Sequence, residues 1–113
     1  MRPVLLLAAG LLTGAAASAA AQQVYMFGVG ATESCATWLS SPESEFQGFT
    51  WLLGYWSGMN VASGVSGHQG MVGSTTDSQG TLAEVKKVCA RQPSLLLVNA
   101  TQVVFEQLQK DGR

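Results

Sequence analysis

The two cysteines, Cys35 and Cys89, are the residues of this chain with the clearest chemistry. They lie too far apart in sequence for a C-x-x-C redox motif or a zinc knuckle. In an oxidising compartment, a lone pair of cysteines is typical of a disulfide. A bridge that closes a loop of about 55 residues stabilises a domain by roughly 4 kcal/mol, comparable to the whole net stability of a small domain. We therefore expect a structural disulfide.

The N-terminal residues have the pattern of a secretory leader. Arg2 supplies a positive start, residues 4–12 an apolar core, and Ala19-Ala20-Ala21 a small-residue cleavage site. Residues 17–19 offer an alternative site. We expect residues 1–21 to be a cleaved signal peptide and the protein to be periplasmic. The apolar run is too short and too rich in Ala and Gly to span a bilayer, so we expect no membrane anchor after cleavage.

Other side chains with catalytic chemistry are sparse. His68, the only histidine, follows Ser66 in a glycine-rich stretch that is not expected to hold a nucleophile and a base in place. Glu43 and Glu45 are typical of an acidic first turn of a helix. The Gly28–Gly30 pair lacks the third glycine of a dinucleotide-binding loop. We expect no catalytic residues, no metal, no cofactor and no enzymatic activity.

The charge balance argues against nucleic acid as a partner. The chain has six basic and seven acidic side chains, and losing the leader with Arg2 gives a net charge of −2. The basic residues are too few and too scattered to follow a phosphate backbone. Three tryptophans in so small and weakly charged a chain indicate apolar surface, which marks a binding site where it is contiguous.

The central helix is the clearest local prediction. Ser41 or Ser44 can cap it, Pro42 suits its first turn, and its pattern continues to about Ala62. Phe46, Phe49, Leu53, Trp56 and Asn60 are spaced to share one face, with Trp51, Tyr55 and Ala62 on a second flank. We take four of these aromatic residues as candidates for client or partner binding: Phe46, Phe49, Trp51 and Trp56. At neutral pH we expect them to be core residues.

Two glycines of that helix, Gly54 and Gly58, lie on one stripe. Each costs the helix about 1 kcal/mol relative to Ala. Glycines retained at that cost usually let another backbone come close, so we expect a neighbouring helix to pack there.

Three other helices are expected around the central one. The first covers residues 32–39 and contains Cys35. The third begins at a capping box of Thr76 with Gln79, or at Asp77, and ends before Pro93; the fourth is capped by Ser94 and fades by Gly112. Apolar residues predict the inner sides of these last two helices: Leu82, Val85, Val88 and Cys89 on the third, and Leu97, Ala100, Val104 and Leu108 on the fourth. Val24 to Phe27 form a strand or an extended arm, and residues 63–80 form a long flexible loop. The prediction is all-α: one small compact domain over residues 22–113, with its core at about 34–108. It is a bundle of about four helices in which one long-range disulfide ties the first helix to the third.

The sequence Trp51-Leu52-Leu53-Gly54-Tyr55-Trp56-Ser57-Gly58, together with Val88-Cys89 and Pro93, resembles the HdeA/HdeB-type small periplasmic proteins over about residues 34–108. The resemblance implies a compact helical domain with one disulfide. It also implies an acid-activated chaperone that forms a homodimer at neutral pH and exposes apolar surface when acidified. This chain lacks the lysine-rich charge pattern of those chaperones.

Two functions follow as expectations. The first is a non-enzymatic periplasmic protein that binds unfolded envelope proteins through apolar surface exposed at low pH. Protonation of seven carboxylates and His68 takes the side-chain charge from about −2 to about +6, and self-repulsion then loosens a small domain. The alternative is an interaction protein or immunity-type inhibitor of one specific envelope partner. A small-molecule or envelope-assembly role has no ligand-specific polar cluster to support it.

Overall fold

The computed structural model describes residues 23–113. The predicted leader, residues 1–21, lies outside the described residues. The described chain forms five helices: α1 (Val29–Thr32), α2 (Cys35–Trp38), α3 (Pro42–Val65), α4 (Ser78–Arg91) and α5 (Leu97–Lys110). Within residues 23–113, β-pairing is limited to one isolated antiparallel bridge between Ser34 and Leu96. The predicted all-α class is confirmed.

The first predicted helix, residues 32–39, is shorter than expected: it is α2, Cys35–Trp38. A further single-turn helix, α1, was not predicted; it ends at Thr32 and is separated from α2 by two extended residues, Glu33 and Ser34. Ser34 then caps α2, because its hydroxyl accepts a hydrogen bond from Thr37 N at 3.1 Å. Glu33 has an extended backbone, and its carbonyl accepts a hydrogen bond from Leu97 N at 2.9 Å. The described bundle therefore has five helices rather than four.

The last helix does not start after Ser94 as predicted, because the residues before Leu97 also make backbone hydrogen bonds to a distant segment. α5 begins at Leu97, and the segment before it runs past the start of α2. There, Cys35 N donates a hydrogen bond to Leu95 O at 2.7 Å. The first N–H groups of a helix have no partner within that helix. The segment before α5 accepts hydrogen bonds from the first N–H groups of α2, and it is not itself helical.

The helices enclose a core built from the predicted inner sides of α4 and α5. Both predictions are confirmed, since these side chains are buried: Leu82, Val85, Val88 and Cys89 of α4, and Leu97, Ala100, Val104 and Leu108 of α5. No helix within residues 23–113 is long and apolar enough to cross a membrane.

Cys35 and Cys89 form the predicted disulfide, with their Cα atoms 5.2 Å apart. Both are buried, and the bridge ties α2 to α4. A single helical turn is unstable by itself, so α2 depends on this bond and on packing by Trp38, whose side chain is completely buried.

The long helix α3 begins as its sequence predicts and extends slightly further. Ser41 is the cap, because its hydroxyl accepts a hydrogen bond from Ser44 N at 3.1 Å. The buried side of α3 contains Gly48, Leu52 and Trp56. It is therefore rotated by roughly a quarter turn from the predicted face that began at Phe46.

The predicted role of Gly54 and Gly58 within the fold is wrong. Both are exposed, and apart from the adjacent residues and the backbone of α3 itself, no atom of the described residues lies within 4 Å of where a Cβ would stand at either position. The glycine that permits close packing is Gly48, where a Cβ would collide with the indole of Trp38. That indole also donates a hydrogen bond from Nε1 to Glu45 O at 2.9 Å.

The connection between α3 and α4 is tethered at Val72, which is buried, and at Gly73, whose N–H donates a hydrogen bond to Arg113 O at 3.3 Å. The Asn60 side chain accepts a hydrogen bond from Val72 N and donates one to Val72 O, both at 3.0 Å. The predicted glycine-rich loop is thus shorter, residues 66–77, and is held near its middle. Asp77 caps α4 by accepting from Gly80 N at 2.8 Å.

Candidate functional site

The four aromatic residues proposed for binding divide into two pairs in the folded protein. Phe46 is 70% exposed and Trp51 is half-buried, both on the same part of α3. Phe49 is partly buried against the core, and Trp56 is only 6% exposed. The expectation that all four are core residues is confirmed for Trp56 and wrong for Phe46.

Trp56 holds the core together. Its Nε1 donates a hydrogen bond to Val72 O at 2.8 Å, and its ring meets the edge of Phe105 at a centroid distance of 5.0 Å. Its indole is therefore not available to a partner while the protein is folded.

Trp51 fastens an N-terminal arm, residues 23–28, which is neither helix nor strand, to the side of α3. Its Nε1 donates a hydrogen bond to Phe27 O at 2.7 Å. Its ring lies against Gly28 and Gly30, where a Cβ would collide with it. Gly28 also has φ of 93°, a backbone conformation that favours glycine. Because Gly28 and Gly30 have no side chains, they leave room for the indole of Trp51.

Aromatic side chains cluster where the arm meets α3. Trp51 and Tyr55 are stacked, with ring centroids 5.0 Å apart and planes 12° apart. On the arm, Tyr25 and Phe27 meet edge to face at 4.8 Å, and they are 81% and 79% exposed. We call the following set the aromatic surface: Tyr25, Phe27, Phe46, Trp51 and Tyr55.

A groove of about 610 Å³ opens between Phe46 and Trp51, with Gln47 and Thr50 between them. A neighbouring groove of about 360 Å³ extends the surface to Phe27 and Tyr55. Binding pockets commonly measure about 300–1,000 Å³ and are mostly apolar with a few polar groups. Both grooves are therefore large enough for apolar side chains of a partner.

The segment that supplies most of this surface has no charged side chain. Residues 46–76 contain no Asp, Glu, Lys or Arg. The nearest acidic influence is Glu106: burial first, and the negative charge of Glu106 second, raise the pKa of Tyr55 above its ordinary value of 10.0. Cores of protein interfaces are depleted in charged residues and enriched in aromatic ones. The surface thus has the composition of an interface.

The remaining chemical candidates are not brought together. Ser66 and His68 lie on the exposed turn after α3, and their side chains are not hydrogen-bonded to each other. Within the described part of the chain, no group of three His, Cys, Asp or Glu residues is placed to hold a metal ion. The described cysteines are both in the disulfide.

The sequence pattern identified Phe46 and Trp51 but not the full surface. Tyr25 and Phe27 were predicted only as part of a strand or an arm, since a strand and an arm look alike in so short an apolar run. The signal that could have joined them to α3 is the Gly28–Gly30 pair, which leaves room for an indole.

Comparisons with protein-family models, curated proteins and solved structures found no match to this chain.

Proposed function

We propose that this chain is an exported, non-enzymatic binding protein that uses the aromatic surface to bind apolar segments of other proteins. The observation that carries the proposal is that Tyr25, Phe27 and Phe46 are mostly exposed in the folded state. Glu43 and Glu45 precede Phe46 on α3, and the residues of α3 that follow it carry no charge. Exposed apolar patches of this kind mark interaction sites in soluble proteins.

The chemistry of the surface suits protein partners. Aromatic rings supply large contact areas with few rotatable bonds, so little conformational entropy is lost on binding. Trp51 is fixed by its hydrogen bond to Phe27 O and by the ring of Tyr55. Fixed Trp and Tyr side chains are frequent energetic centres of interfaces. Apolar side chains of a client or partner are the groups that this surface accommodates.

Periplasmic location is part of the proposal. It is supported by the leader pattern of residues 1–21 and by the buried Cys35–Cys89 bridge, since structural disulfides persist in oxidising compartments.

Acid-activated chaperone activity is a second candidate, favoured by the position of Phe49 and Trp56 in the core. If protonation loosens the bundle, these side chains add to the apolar area while the disulfide keeps α2 and α4 together. The ion pair between Glu45 and Lys86, which joins α3 to α4, is partly exposed. Such pairs contribute only about 0–1 kcal/mol. Loosening therefore depends on self-repulsion of the whole molecule rather than on this pair.

An aggregation-protection assay with an unrelated envelope protein, run at pH 7 and at pH 2–3, tests the two candidates. Binding through the folded surface predicts protection at pH 7. Protection confined to pH 2–3 supports the acid-activated chaperone instead. Capture of one stoichiometric partner, with no protection of denatured proteins, supports the specific inhibitor. Absence of both protection and capture contradicts the proposed function.

A further inference from the structure

Two carboxylates border the aromatic surface, one at each end of its part of α3. The first is Glu43, one turn before Phe46 and Gln47, and residues three or four apart share a side of a helix. Gln47 lines the groove between Phe46 and Trp51. Glu43 is exposed and, within residues 23–113, forms no ion pair. It therefore stands at the N-terminal rim of that groove with its charge unpaired by the described residues.

The second carboxylate, Glu106, approaches the other end of the surface from α5. Phe105 packs edge to face against Trp56, which brings the next residue of α5 close to Tyr55. After burial, the charge of Glu106 is the second cause that raises the pKa of Tyr55, and this effect requires the carboxylate to lie near the phenol. Glu106 is exposed, and Gln102 Nε2 donates a hydrogen bond to it at 3.3 Å.

Three of the five basic side chains in residues 23–113 are on α4: Lys86, Lys87 and Arg91. That helix packs mainly on α5, whereas α1, which follows the arm, packs on α3 and α5. Lys86 and Lys87 are paired with carboxylates, those of Glu45 and Glu84. These two lysines are therefore not available to neutralise the rim of the aromatic surface.

The other two basic side chains, Lys110 and Arg113, lie at the far end of α5. Beyond its contact with Trp56, α5 continues to the loop that follows α3, where Arg113 O accepts a hydrogen bond from Gly73 N at 3.3 Å. Lys110 is one turn beyond Glu106 and forms no ion pair with it. Within residues 23–113, the charges that remain near the aromatic surface are therefore negative.

We propose that the segments bound by the aromatic surface are apolar segments flanked by lysine or arginine. This preference rests on the proposed function. The apolar residues of such a segment occupy the grooves beside Phe46 and Trp51, and its basic residues meet Glu43 and Glu106. Charges at the rim of an interface determine which partner binds, and in which register, more than how tightly it binds.

The separation of the two carboxylates sets the length of the matching segment. Glu43 and Tyr55 are 12 residues apart on α3, about 18 Å along the helix. An extended chain advances about 3.3 Å per residue, so about five or six residues cover this distance. The segment therefore has basic residues about five or six positions apart, with apolar residues between them.

Two further effects favour basic flanks. The faces of exposed aromatic rings attract cations, and Tyr25, Phe27 and Phe46 are mostly exposed. The carbon chains of Lys and Arg also lie along apolar surface while their charges stay in water. A segment flanked by Asp or Glu gains neither contact, and both rim carboxylates repel it. Segments with acidic flanks are therefore the class that this surface rejects.

Three matched peptides test the preference. Each is acetylated and amidated, all share one core of five apolar residues, and they differ only in the residue on each side of it: Lys, Gln or Glu. At pH 7 and low salt, we expect the Lys peptide to bind at least about threefold more tightly than the Gln peptide, and the Glu peptide at least about threefold more weakly. At about 1 M salt, where charges are screened beyond about 3 Å, the three Kd values should agree within about twofold. Isothermal titration calorimetry with the folded protein measures them, and equal binding of the Lys and Glu peptides at low salt overturns the preference.

A pair of double variants tests whether the rim carboxylates are responsible. Glu43→Gln/Glu106→Gln should lower the ratio of the Glu-peptide Kd to the Lys-peptide Kd at least about threefold. The control, Glu84→Gln/Asp111→Asn, removes two negative charges from the groove between α4 and α5. It changes the net charge equally and should leave the ratio as it is. The same ratio in both double variants contradicts the pairing with Glu43 and Glu106.

The Gln peptide separates the flank preference from the proposed function. Binding of that peptide, lost in a Tyr25→Ser/Phe27→Ser variant, supports the proposed function whichever flank is preferred. Apolar binding with no preference among the three flanks overturns the flank preference alone. Absence of binding by all three peptides, or binding that survives the Tyr25→Ser/Phe27→Ser substitution, overturns the proposed function and the flank preference with it.

Discussion

Two glycines of α3 show that the same residue type has different effects on stability at different positions of one helix. Gly48 lies under the Trp38 indole, whereas Gly58 faces open space. Both lower the intrinsic stability of the helix relative to Ala by about 1 kcal/mol. Only at Gly48 is this cost offset by packing that a side chain would prevent.

We accordingly expect Gly48→Ala to lower the free energy of unfolding by about 1–3 kcal/mol, because the added methyl forces Trp38 to move. Gly58→Ala should raise it by about 1 kcal/mol. Chemical denaturation of dilute protein measures both. A destabilised Gly58→Ala variant would show that a neighbour within the chain packs there after all.

Tyr55 gives a pH-dependent prediction at the same scale. Burial, and then the charge of Glu106, raise its pKa in the folded state above the ordinary value of 10.0. The folded protein then holds the phenolic proton more tightly than the unfolded chain does. The resulting stabilisation is fully present below pH 10 and is lost as the pH rises through the raised pKa.

Glu106→Gln should lower the pKa of Tyr55 only part of the way to 10.0, since burial is the larger cause. Tyrosinate absorbance during a pH titration measures this, in a Tyr25→Phe background so that one tyrosine contributes. An unchanged titration after Glu106→Gln would show that burial alone raises the pKa.

At the scale of the elements, the connection between α3 and α4 depends on Asn60. Asn60→Ala removes the two hydrogen bonds that Asn60 makes with Val72 and leaves the Val72 N–H without its partner, while the hydrogen bond from Trp56 Nε1 to Val72 O remains. We expect a loss of about 1–3 kcal/mol in the free energy of unfolding, together with faster proteolytic cleavage within residues 66–77. His68→Ala, on the exposed part of the same loop, is the matched control. Equal cleavage rates in the two variants would contradict the anchoring role.

The elements also show what sequence patterns can predict. The inner sides of α4 and α5 were correctly assigned because their apolar residues recur on one side of each helix. The buried side of α3 was misassigned because apolar residues surround that helix and because its closest contact is made by a glycine, Gly48. Hydrophobic periodicity does not register a glycine that is buried for packing.

The end of α1 and the start of α5 were not predicted, for a different reason. Glu33 and Leu97 pair through their backbones although they are far apart in sequence. That non-local contact ends α1 and sets the start of α5. Local capping signals, such as the one at Ser94, do not contain this information.

At the scale of the whole molecule, charged and aromatic residues are segregated along the chain. Charged side chains of the described residues lie in 33–45 and 77–113, and residues 46–76 have none. Protonation of carboxylates at low pH therefore changes the charged segments and leaves the composition of the aromatic surface as it is. This separation is why we expect binding at neutral pH, before any acid-induced loosening.

The central claim is that Tyr25 and Phe27 bind other proteins while the protein is folded. The most direct measurement is aggregation protection at pH 7 by a Tyr25→Ser/Phe27→Ser variant, compared with Val103→Ser as the control. Val103 is a 48% exposed apolar residue on α5, away from the aromatic surface. We expect at least about a tenfold loss of apparent affinity for the client in the arm variant and none in the control. Equal protection by the two variants, both folded, would contradict it.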